Sequence, residues 1–282
     1  TASTAGGTIY STDTVTIVNT TSKRNKVNST DSKGGAIFTI KEVNVTSSNF
    51  TDNTATNGFG GAIFTNTTVN INNASEFINN SANYGGSIYS VYGDVSANNT
   101  IFENNTATNG FGGAIYSGGY VITNNTNFKS NTANTSYGGA IFASSYITSI
   151  NSNFTNNIAK VAGGSIYSST STVSTTKGNF INNTAGVQGG AIFAIKDVTV
   201  NGTSFTGNKV NSTDKTKIAT GGAIYSNTIV DVNNALFENN TANGTNVTFG
   251  GAIYATVKVN INNTNFTNNN ATGDNISSGG AV

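Results

Sequence analysis

The chain has 282 residues, a net charge of +1 and only 9% charged residues. It therefore lacks the basic surface that nucleic-acid binding needs, and no apolar run approaches the ~20 residues of a membrane-spanning helix. Cys, His, Met, Trp and Pro are absent, which removes disulfides, the commonest zinc and copper ligands and the commonest general base. We expect no cofactor, no metal, no nucleic-acid partner and no membrane span in this segment.

Two short motifs alternate along the chain. The first is Gly-Gly-Ala-Ile followed by Phe or Tyr, and the second is Phe-x-x-Asn, as in Phe102 and Asn105. A repeat of roughly 25–32 residues indicates a solenoid. We therefore predict one repeat domain over residues 1–282, either a slice of a larger protein or a filament subunit. Its coils start near residues 6, 34, 60, 85, 112, 138, 163, 189, 221 and 250, with a truncated coil at 279.

Within each repeat the segments follow one another in a fixed order. The Gly-Gly-Ala-Ile motif is short and β-prone, a second segment alternates in hydrophobicity, as in Val43 and Val45, and a third carries the Phe and ends at the Asn. Period-two alternation is typical of half-buried strands, and Asn suits a tight corner because it tolerates left-handed backbone geometry. The Gly pair fits a site of positive φ or of close approach. The connection from the Asn to the next Gly pair varies in length, as loops in solenoids do.

Three short strands per coil, stacked turn upon turn, predict an all-β, right-handed parallel β-helix of about ten coils. With ~4.8 Å between coils, the rod would be about 48 Å long. Columns of Ile, Phe and Ala would fill the interior, and equivalent Asn side chains would stack into a ladder of amide hydrogen bonds. The predicted ladder comprises Asn53, Asn80, Asn105, Asn131, Asn157, Asn183, Asn208, Asn240 and Asn269.

The first repeat and the two ends depart from this regularity. Ser22 takes the Phe position of the first repeat, judged by a string shared between residues 25–31 and 208–214. We expect that coil to pack less well. Solenoids normally need atypical capping repeats, and none is visible here, so we expect the coils to continue in a longer protein or to dock onto a neighbour.

The alternation of Gly-Gly-Ala-Ile with Phe-x-x-Asn resembles the repeats of the chlamydial polymorphic outer membrane proteins. The fuller string Phe-x-Asn-Asn-Thr-Ala, present at residues 102–107 and 237–242, is similar to the adhesin-like surface proteins of methanogenic archaea. The resemblance covers essentially the whole chain. It implies a right-handed β-helix, export and a place at the cell surface.

Aromatic residues form two rows that we predict to be a contact surface. One row precedes the Gly pair in four successive coils, and the other follows it by about seven or eight residues. Aromatic faces on a polar, repetitive surface can hold sugars or proteins. Alternatively, the rings only stack on one another and stiffen the rod. The predicted surface comprises Phe59, Tyr84, Phe111 and Tyr137 in the first row, and Tyr92, Tyr120 and Tyr146 in the second.

Asn-x-Ser/Thr sequons recur in the variable connections, where we place them in loops. Such a sequon is a glycosylation acceptor in an exported protein. Because Asn, Ser and Thr are abundant, many sequons would also arise from composition alone. The predicted N-glycosylation sites are Asn28, Asn134, Asn211, Asn243, Asn246 and Asn275.

The sequence favours a protein without catalytic residues. The acidic residues do not share a phase in adjacent coils, whereas glycoside hydrolysis commonly uses two carboxyl groups about 5–9.5 Å apart. We therefore expect an extracellular, cell-surface rod with an adhesin-like or surface-display function. Its partner would be a glycan or protein on a host or neighbouring cell. The alternative is a structural subunit whose copies stack end to end into a filament or coat, and a polysaccharide-processing enzyme is a remote third possibility.

Overall fold

A computed structural model describes residues 4–282. Every regular element in that range is a β-strand, and all strand pairs are parallel. The strands form four ten-stranded sheets that run along a common axis, with one strand from each sheet in every coil, and a fifth sheet of three strands. The predicted parallel β-helix of about ten coils is therefore confirmed.

Sheet 1 is built from the segment that follows each Gly pair. The Ile of each motif points into the core, whereas the following Phe or Tyr points outward, because successive side chains of a strand face opposite sides. Ile37, for example, is buried and pairs with Ile63 of the next coil. The strands are Ile9–Tyr10, Ile37–Thr39, Ile63–Thr65, Ile88–Ser90, Ile115–Ser117, Ile141–Ala143, Ile166–Ser168, Ile192–Ala194, Ile224–Ser226 and Ile253–Ala255.

Sheet 2 is built from the alternating segment. Val43 and Val45 are fully buried, while Asn44 between them lies on the outer face. The strands are Val15–Val18, Val43–Thr46, Val69–Asn72, Val95–Asn98, Val121–Asn124, Ile147–Ile150, Val173–Thr176, Val198–Asn201, Ile229–Asn233 and Lys258–Asn262.

Sheet 3 carries the Phe of each Phe-x-x-Asn motif. From Phe50 to Phe266 the rings stack with centroids 4.6–5.0 Å apart. As predicted, Ser22 takes the equivalent place in the first coil and pairs with Phe50. The strands are Thr21–Lys23, Asn49–Thr51, Ser75–Ile78, Thr100–Glu103, Asn127–Lys129, Asn153–Thr155, Asn179–Ile181, Ser204–Thr206, Leu236–Glu238 and Asn265–Thr267.

Sheet 4 corrects the prediction of three strands per coil, because every coil has a fourth. It contains the inward Ala column, in which Val27 and Val210 replace Ala. The sequence signal was weak because many of these strands have only two residues, too few for a visible alternation. The strands are Lys26–Asn28, Thr54–Phe59, Ser81–Tyr84, Thr106–Ala107, Thr132–Ala133, Ile158–Ala159, Thr184–Ala185, Lys209–Ser212, Thr241–Gly244 and Asn270–Gly273. Sheet 5 consists of Ala219–Thr220, Val247–Phe249 and Ile276–Ser278.

The Gly pair meets both conditions that the sequence suggested. Gly60 has a φ of +64°, which L side chains rarely adopt. A Cβ on Gly61 would lie 2.0 Å from the carbonyl oxygen of Gly86 in the next coil. The first Gly therefore turns the chain, and the second permits adjacent coils to approach.

The left-handed corner at the end of sheet 3 lies one residue earlier than predicted. Asn104, with a φ of +54°, makes the turn, and Asn105 follows it into the interior. The Phe-x-Asn-Asn string thus has two Asn residues with different tasks. The first supplies the left-handed backbone, and the second supplies a buried amide.

The buried amides are connected from coil to coil. The backbone N–H and the Nδ2 of Asn105 both donate to Oδ1 of Asn131, at 3.0 and 2.9 Å. Asn105 Nδ2 also donates to the carbonyl oxygen of Phe77 in the preceding coil, at 2.8 Å. The same pattern runs from Asn53 to Asn240, and it begins one coil before the predicted ladder, at Asn25. Each amide therefore ties three coils together.

Candidate contact surface

An outer aromatic column runs along sheet 1. In all ten coils the residue after the motif's Ile is Phe or Tyr, and neighbouring rings stack with centroids 4.3–5.7 Å apart and planes within 20°. Such offset stacking adds to the burial energy of aromatic pairs. The column comprises Tyr10, Phe38, Phe64, Tyr89, Tyr116, Phe142, Tyr167, Phe193, Tyr225 and Tyr254.

The first predicted row lies beside this column, and we call it the flanking row. Its members are Phe59, Tyr84, Phe111 and Tyr137, all half-buried. Phe59 contacts Tyr89 at 4.8 Å between ring centroids, and Phe111 contacts Phe142 at 4.7 Å. The two rows together form a continuous aromatic strip over the coils between residues 59 and 142. Its rings stack on one another. Phe64 and Phe142 are buried, whereas the flanking row, Tyr89 and Tyr116 are partly exposed.

The second predicted row is less continuous. Tyr120 and Tyr146 stack with centroids 4.7 Å apart, whereas Tyr92 is 80% exposed and has no ring partner among residues 4–282. The backbone N–H of Tyr120 donates to Oδ1 of Asp94, at 3.0 Å. The negative charge of Asp94 raises the pKa of Tyr120. The second row follows the sheet 1 strands in the chain, whereas the flanking row precedes them, and among residues 4–282 no ring of the second row stacks on the strip.

Three tyrosines of the outer column, Tyr89, Tyr167 and Tyr225, have raised pKa values. Burial, followed by the neighbouring Tyr137, raises the pKa of Tyr167 to about 12. Burial, followed by Tyr116, raises the pKa of Tyr89 well above its usual range. Burial, followed by Tyr254, also raises the pKa of Tyr225. These phenols therefore stay neutral at physiological pH and present an uncharged surface.

Sequence reasoning noticed the Phe or Tyr that closes each motif but did not assign it to the contact surface. The signal was present, because an aromatic residue in ten successive repeats at an outward position is unusual. A strand of two or three residues does not show by itself which side faces out. The direction became clear only from the burial of Ile37 and its equivalents beside it.

The predicted glycosylation sites lie near the surface, but not all of them lie in loops. Asn28, Asn211 and Asn243 belong to strands of sheet 4, because the connections there continue as extended chain that pairs with the neighbouring coil. The amide nitrogens of the later sites already donate hydrogen bonds: Asn243 to Asn211, Asn246 to Lys215 and Asn275 to Asn246. Asn28 and Asn134 are exposed. Glycosylation at all six sites stays a prediction.

The acidic residues stand mainly beside neutral or basic partners. Glu103 pairs with Lys129 at 2.7 Å, and Asp52 lies 3.8 Å from Arg24. Among residues 4–282, no group of three or more acidic side chains could hold a metal ion. Within the same range, no helix is long and apolar enough to cross a membrane.

The fold defines the chain as a parallel β-helix repeat protein, and the aromatic strip is its candidate contact surface. A family model described as Chlamydia polymorphic membrane protein (Chlamydia_PMP) repeat matches residues 99–118, 178–195 and 234–256. Each match runs from a sheet 3 strand, through the ladder Asn, to the next sheet 1 strand. The predicted resemblance to the chlamydial repeats is therefore confirmed. No curated protein and no solved structure matches the chain.

Proposed function

We propose that the chain forms the rod of an adhesin-like protein on the outer surface of a cell. The match to repeats of polymorphic membrane proteins supports a surface location. The β-helix supports the role of a stiff spacer, because each coil is bonded to its neighbours along four sheets. The rod has no catalytic role in this proposal and needs no cofactor.

The observation that carries the proposal is the aromatic strip. Monomeric proteins rarely expose a large contiguous apolar area unless it contacts a partner. Here the half-buried rings of the flanking row, with Tyr89 and Tyr116 of the outer column, form a contiguous, partly exposed aromatic area on a chain with only 9% charged residues. Tyr phenols supply hydrogen-bonding groups at the edge of an apolar face, a combination that is common at contact sites. The partner is a glycan or protein on a host or neighbouring cell.

Bead adhesion tests this function. Beads coated with the wild-type chain should adhere to cells, and substitution of Tyr84, Phe111 and Tyr137 by Ser should reduce adhesion severalfold. These residues are half-buried, so circular dichroism and thermal unfolding must show that the variant is folded. The matched control replaces Asn127, Asn153 and Asn179 by Ser, which alters an exposed row on sheet 3. Undiminished adhesion of the folded aromatic variant would refute the proposed surface.

A second candidate function is end-to-end assembly into a filament or coat. It is favoured by the uniform register of the coils: Ile9 pairs with Ile37 and Ile224 with Ile253 in the same way. A coil of another copy could therefore pair with a coil edge as successive coils of one chain do. Electron microscopy of the cell surface distinguishes this function, which predicts filaments, from adhesion by separate rods.

A further inference from the structure

The flanking row ends at Tyr137, and a recess opens where it ends. The equivalent positions of the next three coils are held by Ala162, Gln188 and Thr220, which follow one another in register. These smaller or more flexible side chains leave space beside the rings of Tyr167 and Phe193. The recess has a volume of about 410 Å³, within the range of about 300–1,000 Å³ that is typical of ligand sites.

The long connection at residues 209–220 forms one wall of this recess. Thr216, Lys217 and Ile218 of the connection line it, opposite Val161 and Val187. The connection is held in place by its own hydrogen bonds: Asp214 Oδ1 accepts from the backbone N–H and the hydroxyl of Thr216, at 2.9 and 2.7 Å. The amide of Asn246 in the next coil donates to the carbonyl oxygen of Lys215, at 3.0 Å.

A second recess of about 380 Å³ adjoins the first and shares Tyr137, Val161, Val187 and Lys217 with it. Lys160, Ser212 and Asp214 are among its other lining residues. The two recesses therefore make one groove, with an aromatic part over Tyr167 and Phe193 and a polar part under the connection.

The first coil carries a matched connection that is closed. Residues 26–31 and 209–214 have the same sequence, Lys-Val-Asn-Ser-Thr-Asp. In the first coil, Ser29 and Ser32 hydrogen-bond to each other, and Asp31 forms an ion pair with Lys33 at 3.0 Å. That loop therefore satisfies its own polar groups.

In the groove, Asp214 is paired with Thr216, but Ser212, the equivalent of Ser29, is not satisfied in this way. Ser212 is only 4% exposed, and its buried hydroxyl has no hydrogen-bond partner among the described residues. Such a group costs free energy unless it is paired. Within residues 4–282, neither Lys160 nor Lys217 takes part in a salt bridge. The groove thus offers a hydroxyl and two lysines beside the edges of stacked rings, with the carboxylate of Asp214 near Lys217.

We propose that this groove binds a saccharide that carries a carboxylate. An apolar part of the sugar would lie against the outer edges of Tyr167 and Phe193, whose faces are covered by stacked neighbours. The carboxylate would lie between Lys160 and Lys217, and a sugar hydroxyl would pair with Ser212. The proposal rests on the adhesin-like function and names its ligand class. Ring edges beside two lysines and an unpaired hydroxyl fit a sugar acid better than an apolar peptide side chain, which would leave these polar groups unpaired. The proposal also requires that Asn211, which lines the same groove, carries no glycan.

Binding to immobilised trigalacturonic acid and sialyllactose tests the proposal, with methyl-esterified trigalacturonate and lactose as neutral matches. The wild-type chain should bind an acidic probe at least about tenfold more tightly than its neutral match. The double substitution Lys160→Gln and Lys217→Gln should lose about tenfold in affinity for the acidic probe. The matched control is Lys258→Gln, an exposed lysine on sheet 2, which should bind as the wild type does.

A graft tests the wall itself. Residues 209–220 are replaced by residues 184–188, which make the equivalent connection one coil earlier. The graft should abolish binding of the acidic probe. If the grafted chain does not fold, the double substitution Lys160→Gln and Lys217→Gln still tests the proposal, because both lysines are exposed. No binding of either acidic probe, or undiminished binding by the lysine variant, overturns the proposal.

The same variants separate this proposal from the general function. If beads coated with the wild-type chain adhere to cells and the lysine variant adheres equally well, the adhesin-like function stands and the groove is not its ligand site. If wild-type beads do not adhere although the chain binds an acidic probe, the groove proposal stands and the adhesin-like function fails.

Discussion

At the residue scale, the two adjacent Asn residues of each Phe-x-Asn-Asn string show how position determines role. In one coil Asn104 adopts a left-handed backbone conformation, while Asn105 is fully buried and bonded to two other coils. A buried amide is tolerated because its donors and its acceptor are paired. The stack therefore depends on every member of the ladder, since each amide also satisfies the backbone of its neighbours.

Substitution of a ladder residue should destabilise the rod. Asn131→Ala removes the acceptor of two donors of Asn105 and the donor to the carbonyl oxygen of Phe102. We expect a loss of about 3–5 kcal/mol in the free energy of unfolding, because each buried group left unpaired costs about 1–3 kcal/mol. Urea unfolding followed by circular dichroism measures it.

The matched control is Asn127→Ala in the same coil. Asn127 is exposed, and its Oδ1 accepts only from Asn153 Nδ2, at 3.0 Å. Water can replace that bond, so the loss should stay below about 1 kcal/mol. Equal losses for Asn131→Ala and Asn127→Ala would contradict the role of the buried ladder.

At the element scale, the outer aromatic column couples the ten strands of sheet 1. Burial opposes the phenolate form of Tyr89, Tyr167 and Tyr225 and raises their pKa values. Tyr167 has a pKa of about 12, whereas an unfolded Tyr has a pKa of about 10. Between these values the unfolded chain releases a proton that the folded chain retains. The contribution of Tyr167 to the stability of the fold is therefore complete below about pH 10 and is lost as the pH rises to about 12.

Removal of the buried phenols should weaken this pH dependence. In the variant Tyr89→Phe with Tyr167→Phe, the urea midpoint should fall less between about pH 9 and pH 12 than in the wild type. Lysines titrate in the same range, but their contribution is common to both proteins. Tyr92→Phe serves as the control, since Tyr92 is 80% exposed, and its pH profile should follow the wild type. A double variant with an unchanged profile would rule out the burial of these phenols.

At the scale of the whole molecule, the coils repeat in uniform register, but the surface is not uniform. The flanking row covers the column only in part of the rod, and the groove opens where that row ends. Stability in such a rod comes mainly from contacts between neighbouring coils, so one coil can carry an unusual connection without disturbing the others. The groove uses this freedom, since residues 213–218 extend outward between the paired strands Lys209–Ser212 and Ala219–Thr220.

Cryo-electron microscopy of cell-surface material checks the choice between the two proposed functions. The adhesin-like function predicts separate rods with layers ~4.8 Å apart. Material from cells that lack the gene provides the control. Long filaments with the same spacing, unbroken across the junctions between copies, would favour end-to-end assembly instead.

The β-helix itself could be predicted from the sequence, because ten copies of one motif and nine of the other in constant phase have few other ways to bury their Ile and Phe residues. Sequence reasoning also anticipated Ser22 in the Phe column and the reason for the Gly pair. It missed the fourth strand, because a strand as short as Thr106–Ala107 has no periodicity to detect.

The candidate site was only partly predictable. The flanking row was visible as a series of aromatic residues before the Gly pairs, but its partner column was not assigned, and the groove was not foreseen at all. Residues 26–31 and 209–214 are identical in sequence, yet one connection closes on itself and the other covers a recess. The two connections diverge after this string: Ser32 and Lys33 close the first, whereas the second continues through residues 215–220. The repeats alone thus determined the fold through periodic burial, whereas the tertiary structure decided the surface, because surface contacts join residues from different coils.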